Sequence, residues 1–251
     1  MRASISSIKL FKACRRAYQL KYIEHLVPIK RAEALETGTN YHAKLEQLYK
    51  TGDFDKDLTK ETAMALAYKR WIYPMLLFVV PEERFEYYLG QHELVGITDG
   101  IASDGCIIEH KTTSLMSLDE YEYNLQWDEQ LMAYMLATGA RKVYYTVCRK
   151  PNIRQKASET DEEFFERMCD WYYTETDDKI RLFEITKTDA EIEDFRKSLN
   201  EVMTEMEYTV AYYKNTCHCH SWGRQCEYAS ICLSYKPGDA CAEYETWEAD
   251  R

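Results

Sequence analysis

The stretch G-I-T-D-G-I-A-S-D-G-C-I-I-E-H-K-T-T-S, at residues 96–114, constrains the fold more than any other part of the sequence. It contains two apolar runs separated by Ser103-Asp104-Gly105, which has the composition of a tight turn. The pattern therefore predicts a β-hairpin. Because alternate residues of a strand share a face, Glu109 and Lys111 are predicted to point one way and His110 the other.

The charged residues of this hairpin suggest a site. Asp99 ends the first apolar run, and pairing across the turn would bring it near Glu109. Two carboxylates at such a distance repel each other unless a cation lies between them, and carboxylate oxygens suit Mg²⁺ or Mn²⁺. Lys111 would then polarise an attacking water or balance the charge on a phosphoryl oxygen. The alternative is a surface hairpin with one Glu–Lys ion pair.

Further strands and helices are predicted around the hairpin. The strand "RFEYYLG" precedes it and the strand "KVYYTVCR" follows it. Helices are predicted over residues 4–22, 37–48, 60–77 (kinked at Pro74), 122–138 (ending at Gly139) and 189–213, and in "DEEFFERMCDWYYTE". The chain after "KVYYTVCR" is predicted to be mostly helical. This order of helix, three strands, helix and strand predicts an α/β sandwich on a mixed sheet, with more helices at both ends.

Composition places the chain among folded proteins and limits its partners. Apolar residues make up 45% and charged residues 30% of the 251 residues, which argues against disorder. The first residues hold no long apolar stretch, and the run "WIYPMLLFVV" is too short to span a bilayer. We therefore expect a cytoplasmic protein with no membrane partner. The formal charge of −11 means that any DNA binding would use local basic segments or bound cations.

Two pairs of helix residues extend the hairpin into a larger pattern. His42 and Glu46 lie one helical turn apart, and so do Gln130 and Tyr134. Each pair alone is common in amphipathic helices, and Glu46 reads equally well as a surface charge. The whole set resembles the RecB-like branch of the PD-(D/E)XK nuclease superfamily, in the order Gly38 and His42, Asp99, Glu109 and Lys111, Gln130 and Tyr134. "ITDG" lacks the proline of the nominal motif, a change which that branch tolerates.

The resemblance implies a fold and roles for these residues. The fold would be a restriction-endonuclease-like core, a mixed central sheet flanked by helices, in one domain over residues 1–251 with its core at about 37–150. Lys111 would be the catalytic lysine, while Gln130 and Tyr134 would hold the DNA strand or position Lys111. The implied ligands of Mg²⁺ or Mn²⁺ are His42, Asp99 and Glu109, with a backbone carbonyl of the Ile or His beside Glu109.

The nine cysteines give a second line of inference. In a reducing compartment they are more typical of metal ligands than of disulfides. The segment "CHCHSWGRQCEYASIC" resembles the iron–sulfur staple of AddB-type and CRISPR-associated RecB-like exonucleases, which also use a remote N-terminal cysteine. The resemblance implies that a [4Fe–4S] cluster joins helical extensions at residues 1–30 and 205–240. Its implied ligands are Cys14, Cys219, Cys226 and Cys232.

The cysteine pattern leaves two alternatives open. Six residues separate Cys219 from Cys226, more than in the family, so Cys217 is an alternative to Cys219. His218 and His220 keep structural Zn²⁺ open as the bound metal. The other cysteines have no partner pattern and are interpreted as core or incidental residues: Cys106, Cys148, Cys169 and Cys241.

Together these patterns predict a metal-dependent DNA nuclease. The resemblance implies an exonuclease that hydrolyses phosphodiester bonds at DNA ends or in single strands during recombination, repair or genome processing. DNA is the expected partner, with recombination or replication proteins as further partners. The segment after "KVYYTVCR" resembles that of phage-encoded members. The alternative is a non-catalytic DNA-end-binding or protein-interaction module on the same fold, although the complete set of Asp99, Glu109 and Lys111 argues against it.

Overall fold

The structure, a computed structural model, describes residues 1–29, 33–76, 79–114, 117–221, 224–234 and 241–247. The chain divides into two units. The larger unit contains Glu33–Glu86 and Gly96–Phe195, and the smaller unit contains Met1–Ala32, Tyr87–Val95 and Arg196–Arg251. One domain over residues 1–251 stays a prediction.

Helices occur throughout the chain. Those of the described residues are α1 (Ile5–Ala13), α2 (Arg15–Tyr18), α3 (Glu33–Thr51), α4 (Lys60–Trp71), α5 (Asp119–Leu125), α6 (Glu129–Thr138), α7 (Asp161–Trp171), α8 (Asp189–Tyr208), α9 (Thr216–Cys219) and α10 (Ala229–Leu233). A π-helical turn at Gln19–Ile23 follows α2, and 3₁₀ turns lie at Tyr73–Met75, Thr176–Asp178 and Cys241–Glu243. In the part of the chain that is described, none of the helices has the length and apolar character needed to cross a membrane.

The strands are concentrated in the middle of the sequence. They are β1 (Arg2–Ser4), β2 (Leu26–Pro28), β3 (Val79–Leu89), β4 (His92–Ala102), β5 (Ile107–Thr113), β6 (Lys142–Arg149), β7 (Ile180–Thr186), β8 (His220–Ser221), β9 (Arg224–Gln225) and β10 (Tyr244–Thr246). β4 and β5 form the predicted hairpin, with Gly105 in the left-handed conformation at φ 80° in its turn.

The larger unit is built on a mixed sheet. β3 pairs with β4, and β4 runs antiparallel to β5. β5 runs parallel to β6, which runs antiparallel to β7. The register aligns Ile108 with Gly100 on one side and with Tyr144 on the other. The predicted α/β fold, with a mixed central sheet flanked by helices, is confirmed.

Alternate residues of these strands bury two apolar layers. One layer joins Ile108 of β5 to α3 and α4, where Leu45 and Tyr68 are fully buried. The other joins Ile107 to α6, where Leu131 is buried. Strand periodicity therefore directs even-numbered β5 residues toward α3 and α4 and odd-numbered ones toward α6.

The smaller unit contains short strands and an apolar cluster. β1 runs parallel to the first residues of β4, β2 pairs antiparallel with β10, and β8 pairs antiparallel with β9. Cys14, Leu20, Tyr228 and Ile231 are buried together in the cluster. N-terminal and C-terminal segments of the chain therefore share one core in this unit.

Two predicted helices are interrupted. The prediction of one helix over residues 4–22 was wrong at Cys14, whose extended backbone (φ −160°, ψ 110°) separates α1 from α2. The prediction of one helix over residues 122–138 was wrong between Leu125 and Glu129. There the Asp128 side chain accepts a hydrogen bond from the Gln130 N–H at 3.0 Å and starts α6 as a separate helix. α6 ends as predicted at Gly139, which has φ 79°.

The remaining differences lie nearer the ends of elements. The prediction of mostly helical structure after β6 was wrong for β7, where Phe183 and Ile185 are buried on either side of exposed Glu184. α8 ends at Tyr208, not at residue 213. α4 ends at Trp71, ahead of Pro74, and residue 77, where that helix was predicted to end, lies outside the described residues.

Close packing on β4 gives a first test. A Cβ added at Gly100 would lie 2.9 Å from Val79 Cγ1 and 3.2 Å from the Val80 carbonyl oxygen. Because the strand backbone cannot easily move away, we expect Gly100→Ala to lower the free energy of unfolding by about 1–3 kcal/mol. Gly38→Ala is the matched control, since a Cβ there meets its nearest neighbour at 3.7 Å and alanine favours the helix. Equal stability of the two variants in chemical denaturation would contradict this packing.

Candidate active site

The hairpin brings together two carboxylates that lie within neighbouring strands, Asp99 in β4 and Glu109 in β5. Continuing its register by one residue places Asp99 opposite Glu109. Asp99 Oδ2 accepts a hydrogen bond from the His110 N–H at 2.7 Å, and Asp99 Oδ1 lies 3.1 Å from His42 Nδ1 of α3. A helix and two strands therefore fix the position of Asp99.

A chain of polar contacts links β5 to α6. The Lys111 ammonium forms an ion pair with Glu109 and donates a hydrogen bond to Gln130 Oε1 at 3.2 Å. Gln130 Nε2 donates to the Tyr134 hydroxyl at 2.6 Å, and that hydroxyl donates to the Ile97 carbonyl oxygen at 2.9 Å. Gln130 and Tyr134, one turn apart on α6, thus anchor the lysine to the backbone of β4.

Burial dominates the electrostatics of Glu109. Only 2% of its side chain is exposed. Burial raises the pKa of this carboxyl to about 7, with Lys111 opposing the rise and Asp99 adding to it. Among the described residues, Glu109 Oε2 has no hydrogen-bond partner. An unpaired buried carboxylate oxygen is costly, so this atom indicates that a further group belongs at the site.

The other charged groups stabilise one another. Burial raises the pKa of Asp99, but the hydrogen bond and charge of His42 outweigh it and lower the pKa to about 2. Burial lowers the pKa of His42, yet its contact with Asp99 leaves this pKa raised. The pKa of Lys111 is also raised, because Glu109 and Asp99 outweigh its burial. The four groups therefore form two pairs, the Glu109–Lys111 ion pair and the Asp99–His42 contact.

The donors at this site fit a hard divalent cation by their chemistry. Two carboxylates and an imidazole are available from Asp99, Glu109 and His42, and Glu109 Oε2 lacks a partner within the described residues. Nowhere in those residues are three or more His, Cys, Asp or Glu side chains already arranged as a metal site. The Lys111 ammonium here balances the charge of Glu109. Metal binding would therefore require small side-chain adjustments.

Comparison with known families identifies the chain. The profile of the PD-(D/E)XK nuclease superfamily matches residues 2–75 and 77–233, which include the whole site described above. The chain belongs to the PD-(D/E)XK nuclease superfamily. No curated protein shows a significant match to its sequence.

Solved structures similar to this protein have low sequence identity to it. SSO0001 is 14% identical with a TM-score of 0.47, over 92% of this chain and 86% of that one. An alkaline exonuclease from Laribacter hongkongensis is 15% identical with a TM-score of 0.36, over 82% and 90% of the two chains. A phage-related exonuclease from Haemophilus somnus 129PT is 16% identical with a TM-score of 0.35, over 77% and 96%. The superfamily assignment rests on the profile match alone.

The predicted active-site residues, apart from the cysteines, all lie in the larger unit. His42 directly contacts Asp99. A second series of direct contacts runs from Glu109 to Lys111, then to Gln130 and Tyr134. Their catalytic and metal-binding roles stay predictions. Glu46, the further candidate, forms an ion pair with Lys50 one turn along α3.

Sequence reasoning missed a polar network behind the site. The buried His110 ring lies on the face predicted for it, with Nε2 2.8 Å from the Tyr49 hydroxyl. The Tyr49 hydroxyl also forms a hydrogen bond with the Tyr68 hydroxyl. His110 Nδ1 forms a hydrogen bond with the Thr146 hydroxyl, which lies 3.4 Å from the Glu109 carbonyl oxygen. Burial lowers the pKa of His110 to about 3, so the ring is neutral. In sequence these tyrosines read as ordinary core residues.

Thr146→Val tests how strongly this network supports the fold. The substitution keeps the side-chain shape but leaves His110 Nδ1 buried without that partner, so we expect a loss of about 1–3 kcal/mol in the free energy of unfolding. Thr98→Val is the matched control, because Thr98 is equally buried at 1% exposure and makes a long hydrogen bond of 3.4 Å to Glu83. Chemical denaturation of both variants measures the difference. A loss no greater than that of Thr98→Val would show that the network adds little.

The smaller unit brings the four predicted cluster cysteines near one another. Cys14, Cys226 and Cys232 contact the same apolar cluster. The fourth cysteine, Cys219, is linked to Cys14 through Asn215. The Asn215 N–H lies 3.4 Å from Cys14 Sγ, and the Asn215 carbonyl oxygen lies 3.6 Å from Cys219 Sγ. The Cys226 N–H also donates to the Cys219 carbonyl oxygen at 2.9 Å. The two ends of the sequence therefore meet at these thiols.

The surroundings of the thiols differ. Burial raises the pKa of both Cys226 and Cys232, and the neighbouring Cys14 adds to both shifts. Cys217 is exposed. Cys106 and Cys148 are buried elsewhere, as the core interpretation predicts. The side chain of Cys241, and residues 30, 222–223 and 235–240 of the predicted extensions, lie outside the described residues.

Proposed function

We propose that this protein is a metal-dependent DNA nuclease that hydrolyses phosphodiester bonds. The observation that carries the proposal is the buried Glu109 carboxylate, opposite Asp99 and paired with Lys111, in a chain of a nuclease superfamily. The Lys111–Gln130 contact and the Gln130–Tyr134 pair support membership of the RecB-like branch. With that branch we propose exonuclease action at DNA ends or in single strands, in recombination, repair or genome processing.

His42, Asp99 and Glu109 would hold Mg²⁺ or Mn²⁺, with the carbonyl oxygen of Ile108 or His110 as a further ligand. Support comes from the unpartnered Glu109 Oε2 among the described residues and from the repulsion between two facing carboxylates. When bound, such a cation stabilises negative charge on a phosphate and lowers the pKa of a coordinated water. Asp99 is suited to this role because His42 and the His110 N–H fix its carboxylate.

Lys111 would act as a positioned donor. An ammonium has three N–H donors, and within the described residues Lys111 directs hydrogen bonds to Glu109 and Gln130. The remaining donor can contact an attacking water or a phosphoryl oxygen that gains charge during cleavage. Gln130 holds the ammonium in place, and Tyr134 holds Gln130. The pair thus serves as a positioning device for Lys111.

Nuclease assays on defined DNA test the proposal. End-labelled linear and circular DNA, single- and double-stranded, should be cut with Mg²⁺ or Mn²⁺ and left intact with EDTA. We expect Glu109→Gln, Asp99→Asn and Lys111→Ala each to reduce the rate more than about 100-fold, with non-additive losses in combination, because the three act as a unit. Lys111→Ala should retain metal binding, and Glu109→Gln should weaken it.

Glu46→Gln is the matched control for these variants, since Glu46 lies on α3 in a surface ion pair and should keep the normal rate. Normal cleavage by folded Glu109→Gln protein would place the active site elsewhere. DNA binding by the wild-type protein with no cleavage under any metal would favour the alternative, a non-catalytic DNA-end-binding module. Cutting of circular DNA would contradict a strict exonuclease.

We also propose that Cys14, Cys219, Cys226 and Cys232 bind a [4Fe–4S] cluster, with structural Zn²⁺ as the alternative. Support comes from the contact of Cys14, Cys226 and Cys232 with one apolar core and from Asn215, which contacts both Cys14 and Cys219. Thiolates from sequence-distant segments are suited to closing a long loop, worth roughly 4–5 kcal/mol in a chain-entropy account. The exposed Cys217 would lie outside the ligand set.

Metal analysis tests this cluster. Protein purified without oxygen should be brown and contain iron and acid-labile sulfide. Colourless protein with stoichiometric zinc would show that the cysteines bind zinc and not an iron–sulfur cluster. We expect Cys14→Ser to lose the metal and lower the melting temperature, because one thiolate ligand disappears. Cys217→Ser is the matched control and should keep both. If Cys217→Ser loses the metal and Cys219→Ser keeps it, then Cys217 is the ligand and Cys219 is not.

A further inference from the structure

Two large aromatic side chains are exposed shortly before α6, the helix that carries Gln130 and Tyr134. Tyr123 is 70% exposed and Trp127 is 73% exposed. They lie in α5 and in the turn that follows it, while Leu118 and Leu125 of the same segment are buried. A single exposed aromatic residue is common on protein surfaces. Two of them about one turn apart, both exposed and in the segment that directly precedes α6, are a more specific feature.

The chain connects these rings closely to the catalytic lysine. Asp128, which directly follows Trp127, caps α6 through the Gln130 N–H at 3.0 Å. Gln130 Oε1 lies 3.2 Å from the Lys111 ammonium. Adjacent Cα atoms are about 3.8 Å apart. Because three Cα steps separate Trp127 from Gln130, the Trp127 backbone lies within about 11 Å of the Gln130 backbone.

The local charges favour stacking over ion pairing as the means of binding. Glu122, Asp128 and Glu129 surround the aromatic pair in sequence, and the Lys187 ammonium contacts the Gln126 carbonyl oxygen at 3.2 Å while pairing with Glu191. The segment thus offers no excess of positive charge to phosphates. Aromatic faces, in contrast, stack on any nucleobase that is not already stacked in a duplex.

We propose that Trp127, assisted by Tyr123, stacks on unpaired bases of the strand that enters the active site, so that the preferred substrate is a single-stranded DNA end. This inference rests on the proposed nuclease function and names its substrate class. A blunt duplex would have to fray before its terminal base could reach Trp127. The cost of unpairing then discriminates against duplex DNA.

Binding of a fluorescent oligothymidylate tests the proposal. The measurement uses Lys111→Ala protein, which should bind DNA without cutting it, with and without Trp127→Ala. We expect Trp127→Ala to weaken binding about 10-fold, equivalent to about 1.4 kcal/mol, and to change binding of a blunt duplex of the same length much less. The slope of affinity against salt concentration should stay the same, since no phosphate contact is lost. Trp127→Phe should restore most of the affinity.

Tyr208→Ala is the matched control, because Tyr208 is also 70% exposed but lies at the end of α8 in the smaller unit. It should bind as well as the parent protein. A series of oligothymidylates with one abasic position gives a second readout. When the abasic position coincides with the stacking position, the oligomer should bind the parent protein about 10-fold more weakly than the intact oligomer does. The Trp127→Ala substitution should not weaken the binding of that abasic oligomer any further.

The outcomes separate this inference from the nuclease proposal. If the wild-type protein cuts DNA and Trp127→Ala binds single strands like the parent, the stacking role is wrong and the nuclease stands. An equal loss on single strands and on blunt duplexes would also overturn it. If the wild-type protein neither binds nor cuts DNA, both proposals fail.

Discussion

The ion pair between buried Glu109 and Lys111 is the interaction on which the site depends. Removing the Glu109 carboxylate from water within β5 is costly, and a nearby ammonium offsets only part of that cost. One oxygen of Glu109 pairs with Lys111, and the other has no partner among the described residues. An apolar residue at position 109 would stabilise the core at least as well as this ion pair does. The charge is retained, in our account, because a second cation binds to it.

Hydrogen bonds in the surrounding scaffold fix the position of this pair. Asp128 starts α6 at a fixed point, so that Gln130 reaches Lys111 and Tyr134 reaches the backbone of β4. The same interruption between α5 and α6 leaves Trp127 exposed. The Asp128 cap therefore starts the helix that holds the lysine, and the exposed Trp127 directly precedes this cap in sequence.

Much of this arrangement could be predicted from local sequence. The hairpin follows from strand alternation and a turn of Ser, Asp and Gly, and its register places Asp99 opposite Glu109. The end of α6 follows from Gly139. These features depend on neighbours in the chain, which a sequence shows directly.

Other features depend on residues far apart in sequence and could not be predicted in this way. The network around His110 uses Tyr49 and Thr146, which only tertiary packing brings together. The break at Cys14 reflects contacts with Asn215 near the other end of the chain, which override helical periodicity. The break before α6 could have been found, since Asp128 is a strong N-cap residue within an otherwise continuous helical pattern.

Electron paramagnetic resonance of Mn²⁺ added to the wild-type protein tests the central claim most directly, because it reports the ligands without requiring turnover. The account predicts saturable binding of Mn²⁺ with coupling to an imidazole nitrogen. That coupling should disappear in His42→Gln and persist in Lys111→Ala. Absence of saturable binding, or a spectrum of bound Mn²⁺ that is the same in Asp99→Asn and Glu109→Gln as in the wild type, would contradict a metal site at these carboxylates.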